Sequence, residues 1–196
     1  VPVVIMVTGS GAQNRDEEVF AHKPFRVIAD YLAKQGIASL RYDDRGVGQS
    51  TGNQAGCTSA DFAEDAACGL SWLKSSGKFN QVGILGHSEG GLIAFMLGAE
   101  GKADFLVSMA GPGIKGDSLL VEQQNALFKL KGIPSNVSVS TLRKSMATQP
   151  GNVWLEYFMD YDPRQDLERI TIPVMAVNGS NDMQVLSDSN ISAIRN

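Results

Sequence analysis

Two glycines enclose a serine where an apolar run gives way to a helical pattern, and this junction constrains the fold more than any other stretch. Residues 82–85 predict a strand, the sequence Gly86-His87-Ser88-Glu89-Gly90 follows, and small and apolar residues continue after it. A strand that turns directly into a helix strains the central residue and leaves no room for flanking side chains. Such a turn lifts the Ser88 hydroxyl above the sheet edge and leaves the N–H groups of the helix start free.

Apolar runs alternate with amphipathic helical patterns over most of the chain. This alternation favours an α/β fold, with a mostly parallel sheet and helices on both faces, built as one domain over residues 1–196. The predicted strands are residues 1–7, 37–42, 81–87, 104–110 and 172–177, and the predicted helices start at Pro24, near Thr58, after Ser88 and at residue 185.

Residues 115–166 interrupt the alternation. Their apolar spacing predicts a helix up to Gly132, then shorter helices near residues 139–148 and 152–160, and no strand. An all-helical insertion between strands is expected to form a cap over the strand ends, where open α/β sheets bind ligands. The cap residues that we expect to line a substrate pocket are Leu127, Trp154 and Phe158.

Composition narrows the range of functions. A net charge of −4 disfavours an extended basic surface for nucleic acid. No run reaches the roughly 18 apolar residues of a membrane span. Two cysteines, Cys57 and Cys68, do not make a disulfide framework, and no His/Cys cluster has the spacing of a zinc site.

A serine that attacks an ester carbonyl needs hydrogen-bond donors for the oxyanion that develops. If Ser88 is that nucleophile, the residue after it, Glu89, is expected to supply one N–H. The glycine-rich turn at residues 8–11 follows the first strand, and we expect the second N–H from Ser10 or Gly11. A dinucleotide-binding turn is the alternative, but its third glycine is absent and polar residues follow.

An acid is needed to orient the base of such a serine. Asp182 lies in a polar turn directly after the fifth predicted strand, where the chain order serine, acid, histidine expects it. An ordinary turn aspartate is the alternative reading of Asp182. Asp160 and Asp162 are weaker candidates because they belong to the cap.

The sequence does not supply a histidine after Asp182, where the general base is expected. Only two histidines occur, His22 and His87. His87 adjoins Ser88 in the turn, so we expect its ring to be packed, hydrogen-bonded and turned away from the site. His22 precedes both serine and acid and is a weak candidate. We therefore expect the catalytic histidine beyond residue 196 and the 196-residue chain to be inactive alone.

A second polar, glycine-rich loop, residues 43–50, also follows a predicted strand. It contains Asp43, Asp44 and Arg45. We interpret these charges as carboxylate–arginine pairing that fixes the shape of a loop beside the site.

Several motifs follow one another in a recognisable order. They are Val-Thr-Gly-Ser-Gly-x-Gln-x-Arg-Asp-Glu, His22-Lys23-Pro24-Phe25, Tyr-Asp-Asp-Arg-Gly-Val-Gly-x-Ser, Gly-His-Ser-Glu-Gly-Gly, and Pro-Val-x-Ala-x-Asn-Gly before Asp182. Together they resemble the α/β-hydrolase superfamily, and more narrowly its bacterial carboxylesterase-type branch, which is related to dienelactone hydrolases and acyl-peptidases. The resemblance implies Ser88 as nucleophile, Asp182 as acid, a histidine past Asn196, and further strands beyond both ends.

The function expected from these features is a serine hydrolase that acts on a small-molecule carboxylic ester without cofactor or metal. Acyl-peptidase and thioesterase activities are the neighbouring alternatives. A non-catalytic binding module that keeps the fold is the alternative from a different class.

Overall fold

The computed structural model describes residues 1–147 and 151–195. Its strands are β1 (Pro2–Val7), β2 (Ala38–Arg41), β3 (Gln81–His87), β4 (Leu106–Met109) and β5 (Val174–Val177). Its helices are α1 (Pro24–Lys34), α2 (Ser59–Ser75), α3 (Glu89–Ala99), α4 (Gly116–Leu130), α5 (Val139–Ala147), α6 (Val153–Asp160), α7 (Arg164–Leu167) and α8 (Ser187–Arg195). The strands form one parallel sheet in the order β2-β1-β3-β4-β5, so the predicted α/β fold is confirmed.

The centre of the sheet is the pair β1 and β3. Residues 3–7 of β1 are all 3% exposed or less, because the strand is covered on both faces, as its unbroken apolar sequence predicts. β1 and β3 stay in register from Pro2 beside Gln81 to Val7 beside Gly86. The carboxyl ends of the two central strands therefore lie side by side, and each leads into a glycine-rich turn.

Helices cover both faces of this sheet. Val3, Ile5 and Val7 belong to one apolar cluster, with residues of α2 and α3, whereas Val4 and Met6 belong to a second one, with residues of α1. Successive strand residues point to opposite faces, so the two clusters lie on opposite sides of β1.

The helical insertion has the order that the sequence predicts, with α4, α5 and α6 in succession. Residue 148, at the end of the helix predicted over 139–148, lies outside the described residues. The short helix α7 was not expected, because its four residues are too few to show a helical period. The insertion packs on α3 through a cluster formed by Leu92, Leu119, Phe158 and Val185.

The outer strands are shorter than their apolar runs predicted. β4 begins at Leu106 rather than at Asp104. Asp104 instead accepts the N–H of Val82 with its carboxylate at 2.7 Å, so its side chain replaces a ladder bond. β5 lies at the edge of the sheet, where Met175 is 59% exposed.

None of the helices in the described residues combines the length and apolar character that crossing a membrane requires.

Candidate active site

The turn around Ser88 has the strain that the sequence predicts. Ser88 has φ 52° and ψ −118°, a region that residues with side chains rarely occupy. A Cβ at Gly86 would lie 2.0 Å from the carbonyl oxygen of Gly90, and one at Gly90 would lie 2.1 Å from that of Val7. Both collisions involve main-chain atoms, which no rotamer change relieves. The strand, the turn and α3 therefore approach too closely for any residue but glycine at these two positions.

Main-chain bonds hold Ser88 on both sides. Its N–H donates to the carbonyl of Met109 at 2.9 Å, and its carbonyl accepts the N–H of Gly91 at 2.9 Å. Its hydroxyl has no hydrogen-bond partner among the residues that the structure describes. A fixed backbone thus presents an unengaged hydroxyl at the carboxyl end of the central strand.

The turn after β1 lies against this serine. A Cβ at Gly9 would be 3.3 Å from the Cβ of Ser88 and 3.3 Å from Oε1 of Glu17. The N–H of Gly9 is already committed, because it donates to Glu17 Oε1 at 2.7 Å. Gly9 therefore sets the separation between the two segments but has no N–H left to offer a ligand.

The three N–H groups predicted to bind an oxyanion are those of Ser10, Gly11 and Glu89. None of them has an acceptor within residues 1–147 and 151–195. Glu89 is the first residue of α3, where a helix leaves its N–H groups free. Gly11 and Glu89 both line a cavity of about 20 Å³, whereas Ser10 does not.

Asp182 lies in the turn after β5, as its place in the sequence predicts. Its Oδ1 accepts the N–H groups of Gln184 at 2.8 Å and Val185 at 3.0 Å. Asn178 closes the same turn by donating to the carbonyl of Val185 at 2.9 Å. The second oxygen of Asp182 is free to accept a proton-bearing ring nitrogen, and no histidine among the described residues occupies it.

Neither histidine is hydrogen-bonded to Ser88 or to Asp182. His22 lies in an exposed turn closed by main-chain bonds with Val19. His87 places Nδ1 2.7 Å from Oε1 of Glu17, and since a carboxylate only accepts, that nitrogen carries the proton. The predicted hydrogen bond of His87 is thus confirmed.

The expectation that the His87 ring is packed is wrong. Its side chain is 42% exposed rather than packed, and Nδ1 would lie 3.4 Å from a Cβ at Gly9, beside Ser88. The hydrogen bond with Glu17 raises its pKa, and the charges of Glu17 and Asp182 add to that rise against the opposing effect of burial. The ring therefore lies at the edge of the site and within the electrostatic reach of Asp182.

The side chain of Glu89 has a role that the sequence patterns did not indicate. It is 2% exposed, and its Oε1 accepts the hydroxyl of Ser59 at 2.5 Å and the indole N–H of Trp154 at 2.7 Å. Trp154 stacks on Phe158 with 5.3 Å between ring centroids. The residue after the serine thus joins three elements, α3, the start of α2 and the cap helix α6.

The three cap residues expected in a pocket occupy different surroundings. Trp154 touches Glu89 and lines an open groove beside Cys57, Phe158 is buried under the cap, and Leu127 is 41% exposed on α4. A wider groove of about 780 Å³ lies between α4 and the turn that carries Asp182. Its lining includes Ala126, Leu130, Asp182, Met183 and Leu186.

The charges of residues 43–50 pair with arginine as predicted, but with partners from other segments. Arg15 makes two side-chain bonds to Asp43, which hold the pKa of that carboxyl far below its usual range. Arg45 makes a two-pronged bond to Asp65 of α2, with 2.7 and 2.8 Å between nitrogen and oxygen. The loop is therefore tied to α2 and to residues 12–18, in addition to its own closing bond from the Ser50 hydroxyl to the carbonyl of Asp43 at 2.7 Å.

Asp44 stabilises the turn after β1. It accepts the hydroxyl of Thr8 at 3.0 Å and the N–H of Gln13 at 2.9 Å. Burial raises its pKa to about 6, against the opposing effect of these two hydrogen bonds.

In the described residues, no group of three His, Cys, Asp or Glu side chains is placed to hold a metal ion. Both cysteines are free thiols.

The sequence of this chain is similar to those of known hydrolytic proteins. Residues 23–151 match the family model described as serine aminopeptidase, S33. The chain is 31% identical to the esterase EstD of Thermotoga maritima over 94% of its own length and 47% of the relative's. It therefore spans about half the length of the curated relative that it matches.

Solved structures share the fold at low sequence identity. An esterase from Pyrococcus furiosus superposes with a TM-score of 0.69 at 19% identity, over 99% of this chain and 66% of that one. An esterase from Exiguobacterium antarcticum gives 0.65 at 19% identity, over 99% and 79% of the two chains. The strained serine, the parallel sheet and the family match agree with one another: the chain belongs to the serine aminopeptidase S33 family and has the α/β-hydrolase fold.

Proposed function

We propose that this chain carries the nucleophile, the oxyanion donors and the acid of a serine hydrolase that cleaves carboxylic esters. The observation that carries the proposal is the backbone of Ser88, held at φ 52° and ψ −118° between two glycines that tolerate no side chain. A strained serine whose hydroxyl has no partner is typical of a nucleophile rather than of a structural turn.

In this mechanism, Ser88 Oγ attacks the ester carbonyl and gives its proton to a histidine. The N–H of Glu89 and that of Ser10 or Gly11 stabilise the oxyanion. Asp182 accepts the other ring N–H of that histidine through its free oxygen and so fixes the orientation of the ring. The histidine returns the proton to the leaving alcohol, and water then releases the acyl group by the same sequence of transfers.

The catalytic histidine of this mechanism comes from outside the described residues. Neither His22 nor His87 forms a hydrogen bond with Ser88, and Nδ1 of His87 is engaged by Glu17. We therefore expect negligible hydrolysis of a short-chain p-nitrophenyl ester by residues 1–196 alone. Robust turnover by this chain that disappears in Ser88→Ala would contradict the assignment of the base and favour His22.

The nucleophile is tested by labelling the full-length protein with a fluorophosphonate probe. We expect one labelled serine, and we expect the label to be lost in Ser88→Ala. The control is Ser71→Ala, which changes an exposed serine on α2 and should leave the labelling intact. Absence of label on Ser88 in the folded wild-type protein would refute the nucleophile and favour a non-catalytic binding module.

Aminopeptidase activity is a second candidate, because the matching family model is described as a serine aminopeptidase. The same serine and oxyanion donors serve both reactions, so the two differ in the substrate that reaches them. Rates on an aminoacyl p-nitroanilide and on p-nitrophenyl butyrate, measured side by side, separate the candidates. Faster turnover of the ester supports the proposed function.

A further inference from the structure

Glu17 is a buried carboxylate where the turn after β1 meets the elbow around Ser88. It is 5% exposed, and a single oxygen, Oε1, receives the N–H of Gly9 and the Nδ1–H of His87, each at 2.7 Å. One of these donors lies directly before Ser10, and the other lies directly before Ser88. The carboxylate therefore joins the two segments that carry the proposed site.

The surrounding loop is built to direct this side chain inward. Glu17 has φ 51°, an uncommon backbone conformation for a residue with a side chain, and its N–H is held by the carbonyl of Asn14 at 2.8 Å. Its neighbours are anchored elsewhere, since Arg15 pairs with Asp43 and Asp16 pairs with Arg41. Removing a carboxylate from water is costly, so its two charge-assisted hydrogen bonds have to offset a real penalty.

The position of Gly9 decides what this bond controls. Gly9 is in contact range of both Ser88 and Glu17, and its N–H is consumed by the carboxylate. The next two N–H groups, of Ser10 and Gly11, have no acceptor among the described residues. A bond that fixes the orientation of one peptide in a short turn also restricts the direction of the peptide after it.

We infer that Glu17 is a positioning residue that holds the turn after β1 against the elbow, so that the N–H of Ser10 or Gly11 stays aimed at the oxyanion. The inference rests on the proposed function. Preorganised donors act because they are already in place when charge develops, so loosening them lowers kcat more than it weakens substrate binding.

The test is steady-state kinetics of the full-length protein on a short-chain p-nitrophenyl ester. Loss of a single oxyanion donor lowers kcat about 10²–10³-fold. We expect Glu17→Ala, which displaces a donor without deleting it, to lower kcat by roughly 10–100-fold with KM changed less than about twofold. In Glu17→Gln the amide oxygen still accepts the N–H of Gly9, so we expect it to keep kcat within about tenfold of wild type.

The matched control is Glu18→Gln, which alters the adjacent, exposed carboxylate and its pair with Lys23. It should leave kcat and KM unchanged. A Glu17→Ala protein with wild-type kcat, or one whose whole loss is a rise in KM, would overturn the inference. Failure of Ser88→Ala to abolish turnover would overturn the proposed function instead, so the two failures are distinguishable.

A second measurement does not depend on activity. Hydrogen–deuterium exchange of residues 8–11 is followed in the full-length protein, for wild type, Glu17→Ala and Glu18→Gln. Because Gly9 loses its acceptor, we expect faster exchange of this turn in Glu17→Ala, by about tenfold, and no change in Glu18→Gln. Identical exchange in all three proteins would show that Glu17 does not hold the turn.

Discussion

Two regions of the molecule surround Ser88. The elbow side consists of residues 8–18 and 86–91, and it is fixed by buried carboxylates and by close main-chain contacts. Residues 115–166 and 178–188 (the cap side) contain buried carboxylates as well, Asp117 and Asp166, but burial there is uneven. α5 has no buried residue, and the buried residues of α4 all lie near its start. This difference agrees with the proposed function, in which the oxyanion donors have to stay fixed while the substrate-binding surface can adapt.

If the elbow side is the rigid one, its glycines should be the least replaceable residues. We expect Gly86→Ala to cost more than about 4 kcal/mol in the free energy of unfolding, because its Cβ would collide with the main chain of Gly90. The control is Gly77→Ala, which has φ 65° and open space and should cost about 1–2 kcal/mol. Urea unfolding of both variants measures the difference, and similar values would contradict the rigidity of the elbow.

The half-buried carboxylate of Asp44 makes the stability of the elbow side depend on pH. Its pKa of about 6 lies above the ordinary 3.8, so the folded chain binds this proton more tightly than the unfolded chain. The free energy of unfolding should fall as pH rises from about 4 to 6, by at most ~3 kcal/mol in total.

Substitution isolates this contribution. We expect Asp44→Asn to remove that part of the pH dependence, whereas Asp30→Asn, at an exposed pair with Lys34, should keep it. Urea titrations at half-unit steps of pH measure both. An unchanged slope in Asp44→Asn would assign the pH dependence to another group.

A substitution on the cap side should lower the stability by less, and its effect should be confined to the region of α6. Trp154→Phe keeps an aromatic ring against Phe158 but removes the hydrogen bond to Glu89, so we expect a loss of about 2 kcal/mol. Limited proteolysis should then cut near α6 earlier than in wild type while the sheet stays intact. The control Trp72→Phe changes a ring that is 63% exposed on α2, and it should leave the cleavage pattern unchanged.

The smallest expected effect concerns the pair of His87 and Glu17. The raised pKa of His87 means that the pair stabilises the folded chain fully below about pH 6.5, and that this stabilisation is lost as pH rises through the higher folded pKa. Because the side chain is 42% exposed, screening limits the contribution to less than about 1 kcal/mol. Urea unfolding of His87→Gln and the control His22→Gln between pH 5 and 9 measures it, and a stability gap that widens with pH would contradict the sign.

The local part of the site could be predicted from the sequence. The strain at Ser88 and the need for Gly86 and Gly90 follow from a strand that turns directly into a helix, which is a pattern of five consecutive residues. The parallel sheet follows from the alternation of apolar runs and helical patterns. Both patterns depend on residues that are close in the sequence, so they can be recognised without knowledge of the folded structure.

The supporting contacts could not be predicted in this way. Glu17 and His87 are 70 positions apart, Glu89 and Trp154 are 65 apart, and polar residues in a loop give no period that would pair them. The partner of Arg45 was likewise hidden, because Asp43 and Asp44 were nearer in the sequence than Asp65. Long-range polar pairing depends on the relative placement of whole elements, which local patterns do not encode.

Glu89 serves two different parts of the protein through its two halves. Its main chain begins α3 beside Ser88, while its carboxylate accepts the indole N–H of Trp154 in the cap. A cap exchanged for one with a different substrate preference must therefore bring its own donor to that carboxylate, or it leaves a buried acceptor with only the Ser59 hydroxyl. A change of substrate preference through the cap therefore requires that the new cap donate a hydrogen bond to Glu89, the residue that follows Ser88.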